Sequence, residues 1–309
     1  MSWQQQVITL RNGGKTFAEI RKFLREKYGQ DFHEERIRGM YRRYCKSLND
    51  AETEPVDRNP IPDERVINHV TKARRIRFGL ISDTHLCSKM QQITYLNEYY
   101  DECADRGIDR VYHSGDVLAG DKVYQGQTYE VFKHGFDEQL DYTVDNYPKR
   151  RGIKTSFITG NHDLDFFKHG GADVGPRLAH ERDDMEYCGK LTAIVNLAPQ
   201  VSLQLLHMDG GVPYALTYKS QRIVDGLPGG EKPKIISFGH DHQRAYFFRR
   251  NVHALHAGCF EGQTFLLKRK GIMPEIGGWF CEIEVDGDGS VVAFRPEARV
   301  WFKEIPNDY

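Results

Sequence analysis

Short apolar runs that end in glycine and polar residues are the main pattern of this chain. Five of them are RIRFGLIS, DRVYHS, TSFIT, VSLQLL and KIISF. Runs of apolar, β-branched and aromatic residues with such boundaries predict buried strands. A crossover helix between the first two strands is predicted by YLNEYYDECADRG. After residue 242, shorter runs and a DGDG turn predict hairpins, so the body of the chain is predicted to be an α/β domain.

Side chains that can bind metals directly follow each of the five runs. They occur in the motifs ISDTH, SGD, GNHD and GHDH and at one isolated histidine: Asp83, His85, Asp116, Asn161, His162, His207, His240 and His242. The carboxyl ends of strands are where layered α/β folds build their sites, so we expect five loops to converge. Asp, Asn and His suit Mn, Fe, Zn or Ni, and one shared carboxylate can hold two ions about 3.5–4 Å apart. Such a pair activates water against a phosphate ester.

The order of these motifs resembles the signature of the calcineurin-like metallophosphoesterase superfamily. That signature is D-x-H, G-D, G-N-H-[DE], a lone His and G-H-x-H, and the resemblance spans residues 76–309 without missing a ligand position. It implies a four-layer α/β/β/α fold, in which a two-layer β-sandwich is flanked by helices. It also implies a metal-dependent hydrolase of phosphate esters with two divalent metal ions, for which Mn is favoured and Fe, Zn or Ni are alternatives.

The same resemblance implies a role for each residue of the site. One ion would be held by Asp83, His85, Asp116 and His242, and the other by Asp116, Asn161, His207 and His240. His162 would stay off the metals and donate a hydrogen bond or a proton towards the phosphate or leaving oxygen. Asp163 is predicted to orient that imidazole, with a turn residue as the alternative.

The first 50 residues have the pattern of a small all-α domain. Thr16 and Glu19 form a capping box before an amphipathic stretch, and Gly29 follows at the expected helix end. Helices are also predicted in SWQQQVITLR and HEERIRGMYRRYCK. Three short helices with a basic last helix resemble a helix-turn-helix domain, whose basic residues would bind DNA; a protein docking module is the alternative. The candidate nucleic-acid-binding residues are Arg36, Arg38, Arg42, Arg43 and Lys46.

Charge and proline content predict how the chain is divided. Residues 1–50 contain eleven Lys and Arg against six Asp and Glu, whereas the whole chain has a net charge of −1. A basic module joined to an acidic body is typical of a protein that contacts an anionic polymer and also binds cations. Pro55, Pro60 and Pro62 lie in a polar, charged stretch. We therefore predict a domain at 1–50, a linker at 51–75 and a catalytic domain at 76–309.

Hydropathy, the start of the chain and cysteine spacing indicate which classes of protein can be excluded. No apolar stretch reaches the length of a membrane span, and the start of the chain lacks the pattern of a signal peptide. The six cysteines are scattered and form no C-x-x-C pair, which argues against a disulfide framework or a zinc knuckle. We expect a soluble cytoplasmic protein without a membrane partner, and the sequence makes no prediction of its oligomeric state.

A second resemblance indicates a branch of the superfamily. The segments SGDVLAGDKVYQGQTYEVF and ISDTHLCSK are similar to motifs in the small, exonuclease subunit of archaeal D-family DNA polymerases. Nucleases of double-strand-break repair usually carry a His three residues after the G-D Asp, where this chain has Ala119. The leading hypothesis is a phosphodiesterase that acts on DNA as a nuclease or exonuclease. The alternatives are an enzyme for a small phosphodiester or a phosphoprotein, with residues 1–50 recruiting a partner, and a non-catalytic DNA-binding scaffold.

Overall fold

The computed structural model describes residues 2–52, 65–230 and 232–309, with side chains at all of these except 43 and 45–52. The chain forms two compact units, Met1–Asn59 and Pro60–Tyr309. Part of the predicted linker, 53–64, lies outside the described residues. The remainder differs from the prediction, because residues 51 and 52 continue a helix and Arg65–Asn68 form a strand within a sheet of the second unit.

The first unit contains the three predicted helices, α1 (Trp3–Asn12), α2 (Phe17–Tyr28) and α3 (Glu34–Glu52). The predicted capping box at the start of α2 is confirmed: the Thr16 hydroxyl accepts from the Glu19 N–H, and the Glu19 carboxylate accepts from the Thr16 N–H. Gly29 ends α2 with a φ of 65°. The three helices enclose a small apolar core of Val7, Ile20, Leu24, Phe32 and Ile37.

The described residues of the second unit form two six-stranded sheets, six α-helices and a short 3-10 helix at Gln127–Tyr129. Its strands are β1 (Arg65–Asn68), β2 (Arg75–Ile81), β3 (Arg110–His113), β4 (Lys154–Thr159), β5 (Met185–Lys190), β6 (Thr192–Ala198), β7 (Val201–His207), β8 (Ile235–Gly239), β9 (Arg244–Arg249), β10 (Val252–Ala257), β11 (Ile276–Val285) and β12 (Val291–Trp301). Its helices are α4 (Ile93–Asp105), α5 (Phe136–Asn146), α6 (Asp163–Gly170), α7 (Val174–Glu181), α8 (Tyr218–Gly226) and α9 (Phe265–Lys270).

The sheets stack face to face with helices outside. One sheet has the order β12-β11-β2-β3-β4-β5 and the other the order β1-β6-β7-β8-β10-β9. Apolar side chains from both sheets, such as Leu80 and Leu203, form the core between them. The outer face of the first sheet packs against α4, α5 and α7, and that of the second sheet packs against α8. The predicted α/β/β/α arrangement with a preceding three-helix domain is confirmed.

All five apolar runs form strands, and their directions create the site. β2, β3 and β4 are parallel neighbours in one sheet, and β7 and β8 are parallel neighbours in the other. The ligand motifs therefore leave the carboxyl ends of both groups of strands. The predicted crossover helix is α4, and the DGDG turn joins β11 to β12. Within the described residues, no helix is both long enough and apolar enough to cross a bilayer.

Candidate metal centre

The loops that carry the predicted ligands have an unusual backbone. Asp83, His85, Asp116, His240 and His242 all have a positive φ, between 42° and 96°. Such conformations cost about 1–3 kcal/mol for a residue with a β-carbon, and they persist where the surrounding structure imposes them. Here the loops bind each other, because the Asp83 N–H donates to the Gly115 carbonyl and the His85 N–H donates to the Asp116 carbonyl. Strained backbone of this kind concentrates at functional sites.

Glycines in two of the motifs permit the close approach of these loops. A β-carbon at Gly160 would collide with the Asp116 carboxylate and the His207 ring. A β-carbon at Gly239 would collide with the Ser82 hydroxyl and with the loop after β3. The glycines before Asn161 and His240 are therefore required by packing.

Four donor atoms converge on a first position. His85 Nε2 lies 3.1 Å from His242 Nε2, 3.7 Å from Asp83 Oδ1 and 3.7 Å from Asp116 Oδ2. His242 Nε2 lies 3.6 Å from Asp83 Oδ1. Tetrahedral ligands with bonds of about 2.1 Å would be separated by about 3.4 Å. The spacing and chemistry of this set fit a divalent ion.

A second set of four donors lies beside the first. His207 Nε2 is 3.2 Å from Asp116 Oδ2 and 3.0 Å from Asn161 Oδ1. His240 Nδ1 is 2.9 Å from the same Asn161 oxygen. Asp116 Oδ2 belongs to both sets, as a bridging carboxylate requires. The structure thus brings all seven predicted ligands together in the two groups that the family resemblance implied.

The rear nitrogens of two histidines are held by the backbone. His207 Nδ1 donates to the Ser114 carbonyl at 2.8 Å, and His240 Nε2 donates to the Gly210 carbonyl at 2.6 Å. These bonds fix the tautomers, so that the lone pairs of His207 Nε2 and His240 Nδ1 face the site. Neither ring has to reorient to bind a metal.

Burial and nearby charge determine the protonation of His85, His242 and His207. Burial lowers the pKa of His85 well below its usual value and that of His242 to about 3, so both rings present lone pairs. Burial opposes protonation of His207 as well, but the Asp116 carboxylate outweighs it and raises the pKa of His207 to about 9. In the absence of metal a proton therefore occupies the second set, and a bound cation would replace it.

His162 lies beside the two sets of four, and one of its ring nitrogens is within 4.8 Å of a donor atom of His85 and of Asp116. Its Nδ1 donates to the Ala119 carbonyl at 2.5 Å, and its ring meets His85 edge-to-face with centroids 4.5 Å apart. The His162 N–H donates to Asp116 Oδ1 at 2.8 Å, so the loop is anchored to the shared carboxylate. Ala119, three residues after Asp116, supplies the carbonyl that fixes His162.

The predicted role of Asp163 is wrong. Its carboxylate accepts hydrogen bonds from the backbone N–H groups of Val117, Leu118 and Gly160, at 2.9 to 3.1 Å, and these bonds occupy it instead of the His162 ring. Burial raises the pKa of this carboxyl, and the Asp116 charge adds to the shift, while the three donors act in the opposite direction. Asp163 ties the loop after β3 to the loop after β4, and so acts on the position of the ligands.

Glu261 is a functional candidate that the sequence did not indicate. Its side chain is buried, and its Oε2 lies 3.7 Å from His242 Nδ1 and 4.0 Å from His85 Nε2. Burial raises the pKa of Glu261 to about 8. His242 Nδ1 has no hydrogen-bond partner among the described residues, and the Glu261 carboxyl group lies near this nitrogen without a hydrogen bond to it. A lone Glu in GCFEGQ has no ligand spacing, and only the fold reveals its position.

His113 is a second such residue. It is fully buried at the end of β3, and burial lowers its pKa to about 3. The neutral ring accepts from the Gly115 N–H at Nδ1 and contacts the Thr84 hydroxyl at 3.0 Å through Nε2. It therefore connects the loops that carry Asp83 and Asp116. Its place directly before S-G-D is the signal in the sequence, although that place alone does not separate it from a core histidine.

A cavity of about 70 Å³ opens over the ligands. Its polar side consists of Asp116, His162, His240, His242 and Glu261. Larger depressions of about 500 and 790 Å³ occur elsewhere on this unit, and none of the predicted ligands lines them. The chemistry of the unit is therefore concentrated at the small cavity.

The basic residues of α3 have mixed surroundings. The Arg36 guanidinium lies over the Trp3 ring, with 5.5 Å to its centroid, and Arg38 pairs with Glu34. Arg42 is exposed. Arg43 and Lys46 lie within α3, but their side chains are outside the described residues. A nucleic-acid contact by this helix stays a prediction.

Comparison with known proteins decides the family. Residues 76–273 match the model of the calcineurin-like phosphoesterase superfamily domain. The chain belongs to this superfamily. The superfamily consists of metal-dependent hydrolases, and its members use a dinuclear metal centre. The ligand arrangement described above fits such a centre.

Individual relatives are distant from this phosphoesterase. The DNA polymerase II small subunit of Methanothermobacter thermautotrophicus is 23% identical over 251 residues, which cover 64% of this chain and 50% of the relative. The chain thus spans half the length of that protein. A novel archaeal phosphodiesterase is 13% identical with a TM-score of 0.39, covering 72% of this chain and all of the other. The 5'-nucleotidase precursor of Thermus thermophilus is 14% identical with a TM-score of 0.36, covering 73% of this chain and 54% of the other.

Proposed function

We propose that this protein is a dinuclear-metal-dependent phosphodiesterase that cleaves DNA as a nuclease or exonuclease. The observation that carries the proposal is the pair of four-donor sets that share Asp116 Oδ2, with His162 beside them. Two divalent ions bound there, with Mn preferred, would polarise a phosphate oxygen and lower the pKa of an attacking water. The residues around them supply position and proton transfer.

His162 is the residue we assign to the leaving oxygen. Its Nδ1–H is committed to the Ala119 carbonyl, which leaves Nε2 as the atom that delivers a proton or a hydrogen bond. The ring cannot rotate without losing that bond. Its N–H to Asp116 Oδ1 keeps the imidazole beside the bridging carboxylate, where the phosphate would lie.

Two features favour DNA as the substrate. The distant relative is named as a subunit of a DNA polymerase, and the segment with the Y-Q-G-Q turn after Asp116 is part of the similarity to that group of proteins. The first unit is basic, with eleven Lys and Arg against six Asp and Glu in residues 1–50. A basic unit joined to an acidic catalytic unit favours the proposal that the substrate is a polyanion.

The test is a substrate panel with purified protein and Mn²⁺. We expect cleavage of labelled single- or double-stranded DNA oligonucleotides, and loss of both cleavage and bound Mn²⁺ in Asp116→Asn. Asp225→Asn is the matched control, because Asp225 pairs with Arg249 on the surface and should keep both properties. Intact oligonucleotides together with rapid hydrolysis of phosphomonoesters or phosphopeptides would overturn the assignment to DNA.

A further inference from the structure

The cavity over the metal ligands has one apolar side. Val212, Leu266 and Ile272 line it, and Lys270 is exposed at the same wall. Each of the three apolar side chains is only partly buried, so part of its surface faces the open space of the cavity. Apolar surface of this kind beside a polar centre is typical of a ligand site.

This wall does not serve the phosphate itself. A phosphate ester is anionic and needs hydrogen-bond donors and cations, which the metal ligands and His162 in the same lining would provide. An apolar surface within the same small space fits a flat, weakly polar group joined directly to that phosphate. A nucleobase has this character, and the Lys270 ammonium group would lie beside an adjoining phosphate.

The wall is part of a built structure. The Thr264 hydroxyl accepts from the Leu267 N–H and begins α9, and Gly271 ends it with a φ of 68°. The Phe265 N–H donates to Glu130 Oε1, while the Tyr124 hydroxyl donates to Glu130 Oε2. One carboxylate therefore joins α9 to the segment that carries Tyr124, which also lines the cavity.

We propose that Val212, Leu266 and Ile272 form a nucleobase subsite for one unpaired nucleotide next to the bond that is cleaved. This inference rests on the proposed phosphodiesterase function. The three side chains line the same small cavity as Asp116, His162 and His240, so a base on them would adjoin the phosphate. A base that packs against this wall is not stacked in a duplex, so a duplex end would have to unpair, and single strands or frayed ends are the preferred substrates.

A pair of small esters with the same leaving group isolates the subsite. Thymidine 5'-(p-nitrophenyl phosphate) carries a base, whereas methyl p-nitrophenyl phosphate does not. Because the base would bury apolar surface against the three side chains, we expect kcat/KM with Mn²⁺ to favour the thymidine ester by about tenfold or more. Leu266→Ala should reduce this ratio about tenfold, and Leu266→Met, which keeps the apolar bulk, should restore most of it. Phe302→Ala is the matched control, because Phe302 is 95% exposed and outside the cavity lining.

The outcomes separate the two proposals. Equal kcat/KM for both esters, or a ratio unchanged in Leu266→Ala, would overturn the subsite and leave the phosphodiesterase intact. If the wild type hydrolyses neither ester but hydrolyses phosphomonoesters, the proposed function fails, and the subsite fails with it. If Leu266→Ala loses its circular-dichroism spectrum, Ile272→Ala and the Leu266→Met ratio replace it.

Oligonucleotides test the consequence for DNA structure. A single strand and a duplex with a mismatched end should be cleaved about tenfold or more faster than a blunt duplex of the same sequence. Equal rates on all three would contradict the unpaired-nucleotide requirement, because the blunt duplex would then reach the ligands without opening.

Discussion

At the scale of single residues, the site depends on side chains with two polar atoms, one of which faces the metal position while the other binds the protein. Asp116 gives Oδ2 to both donor sets and Oδ1 to the His162 N–H. His207 and His240 turn one nitrogen to the site and bind a carbonyl with the other. These three ligands are therefore fixed by a contact on their far side, which reduces the reorganisation needed when a metal binds.

His162 is expected to act on chemistry and not on metal binding. His162→Ala removes the imidazole that we assign to the leaving oxygen but none of the seven donor atoms. We expect bound Mn²⁺, measured by elemental analysis, to stay at two ions per chain, while kcat for an oligonucleotide falls about a hundredfold to ten-thousandfold. His134→Ala, with a half-exposed ring far from these donors in sequence, is the control. Loss of metal in His162→Ala would place this residue among the ligands instead.

Glu261 is expected to act through His242. A carboxylate behind a metal-binding imidazole fixes its tautomer and increases its basicity, and removing such a partner reduces metal affinity about 10- to 100-fold. Glu261→Gln keeps the size of the side chain and removes the carboxyl group that could ionise when a cation binds. We expect its Mn²⁺ affinity, measured by titration calorimetry, to fall within that range. Glu275→Gln, at a partly exposed carboxylate, should bind Mn²⁺ as the wild type does. An unchanged affinity in Glu261→Gln would show that His242 does not need this partner.

At the scale of elements, strands marked by a local apolar pattern could be predicted from the sequence. Features that depend on contacts between distant segments could not. The runs before Asp83 and Asn161 predicted buried strands because their apolar residues are contiguous and their boundaries are polar. β1 was missed, since only one of its four residues is even partly buried and its order comes from parallel pairing with β6, far along the chain. Asp163 was misassigned for a similar reason, because its partners are backbone N–H groups that only the folded loops bring together.

Asp163 is expected to hold two loops in place. In Asp163→Asn the amide group cannot accept all three N–H donors, so at least one buried donor loses its partner at a cost of about 1–3 kcal/mol. We expect the free energy of unfolding in urea to fall by that amount. Mn²⁺ affinity should fall as well, because Val117 and Gly160 adjoin the ligands Asp116 and Asn161. Asp183→Asn, at an exposed carboxylate, should change neither quantity. Unaltered stability in Asp163→Asn would show that the loops hold together without it.

At the scale of the whole molecule, charge separates the two units. The chain is nearly neutral, yet residues 1–50 are basic and the remainder is correspondingly acidic. The negative charge of the second unit attracts cations to the metal centre, but it also repels a polyanion from the surface around that centre. A basic unit on the same chain would offset that repulsion, and the tether would raise the effective concentration of DNA at the cavity. The motifs alone predicted the hydrolase, whereas this division of labour depends on the distribution of charge.

Arg42 tests whether the first unit contacts DNA. Its side chain is exposed, whereas Arg36 packs on Trp3 and Arg38 pairs with Glu34, so Arg42→Ala should disturb the helices least. If Arg42 contacts a phosphate, its removal from the full-length protein should weaken DNA binding and reduce the slope of log K against log salt concentration by about 0.9. Lys303→Ala, at an exposed residue of the second unit, should leave that slope unchanged. A slope that is equal in Arg42→Ala and wild type would favour a protein partner for the first unit, because a phosphate contact cannot be lost without retaining a counterion.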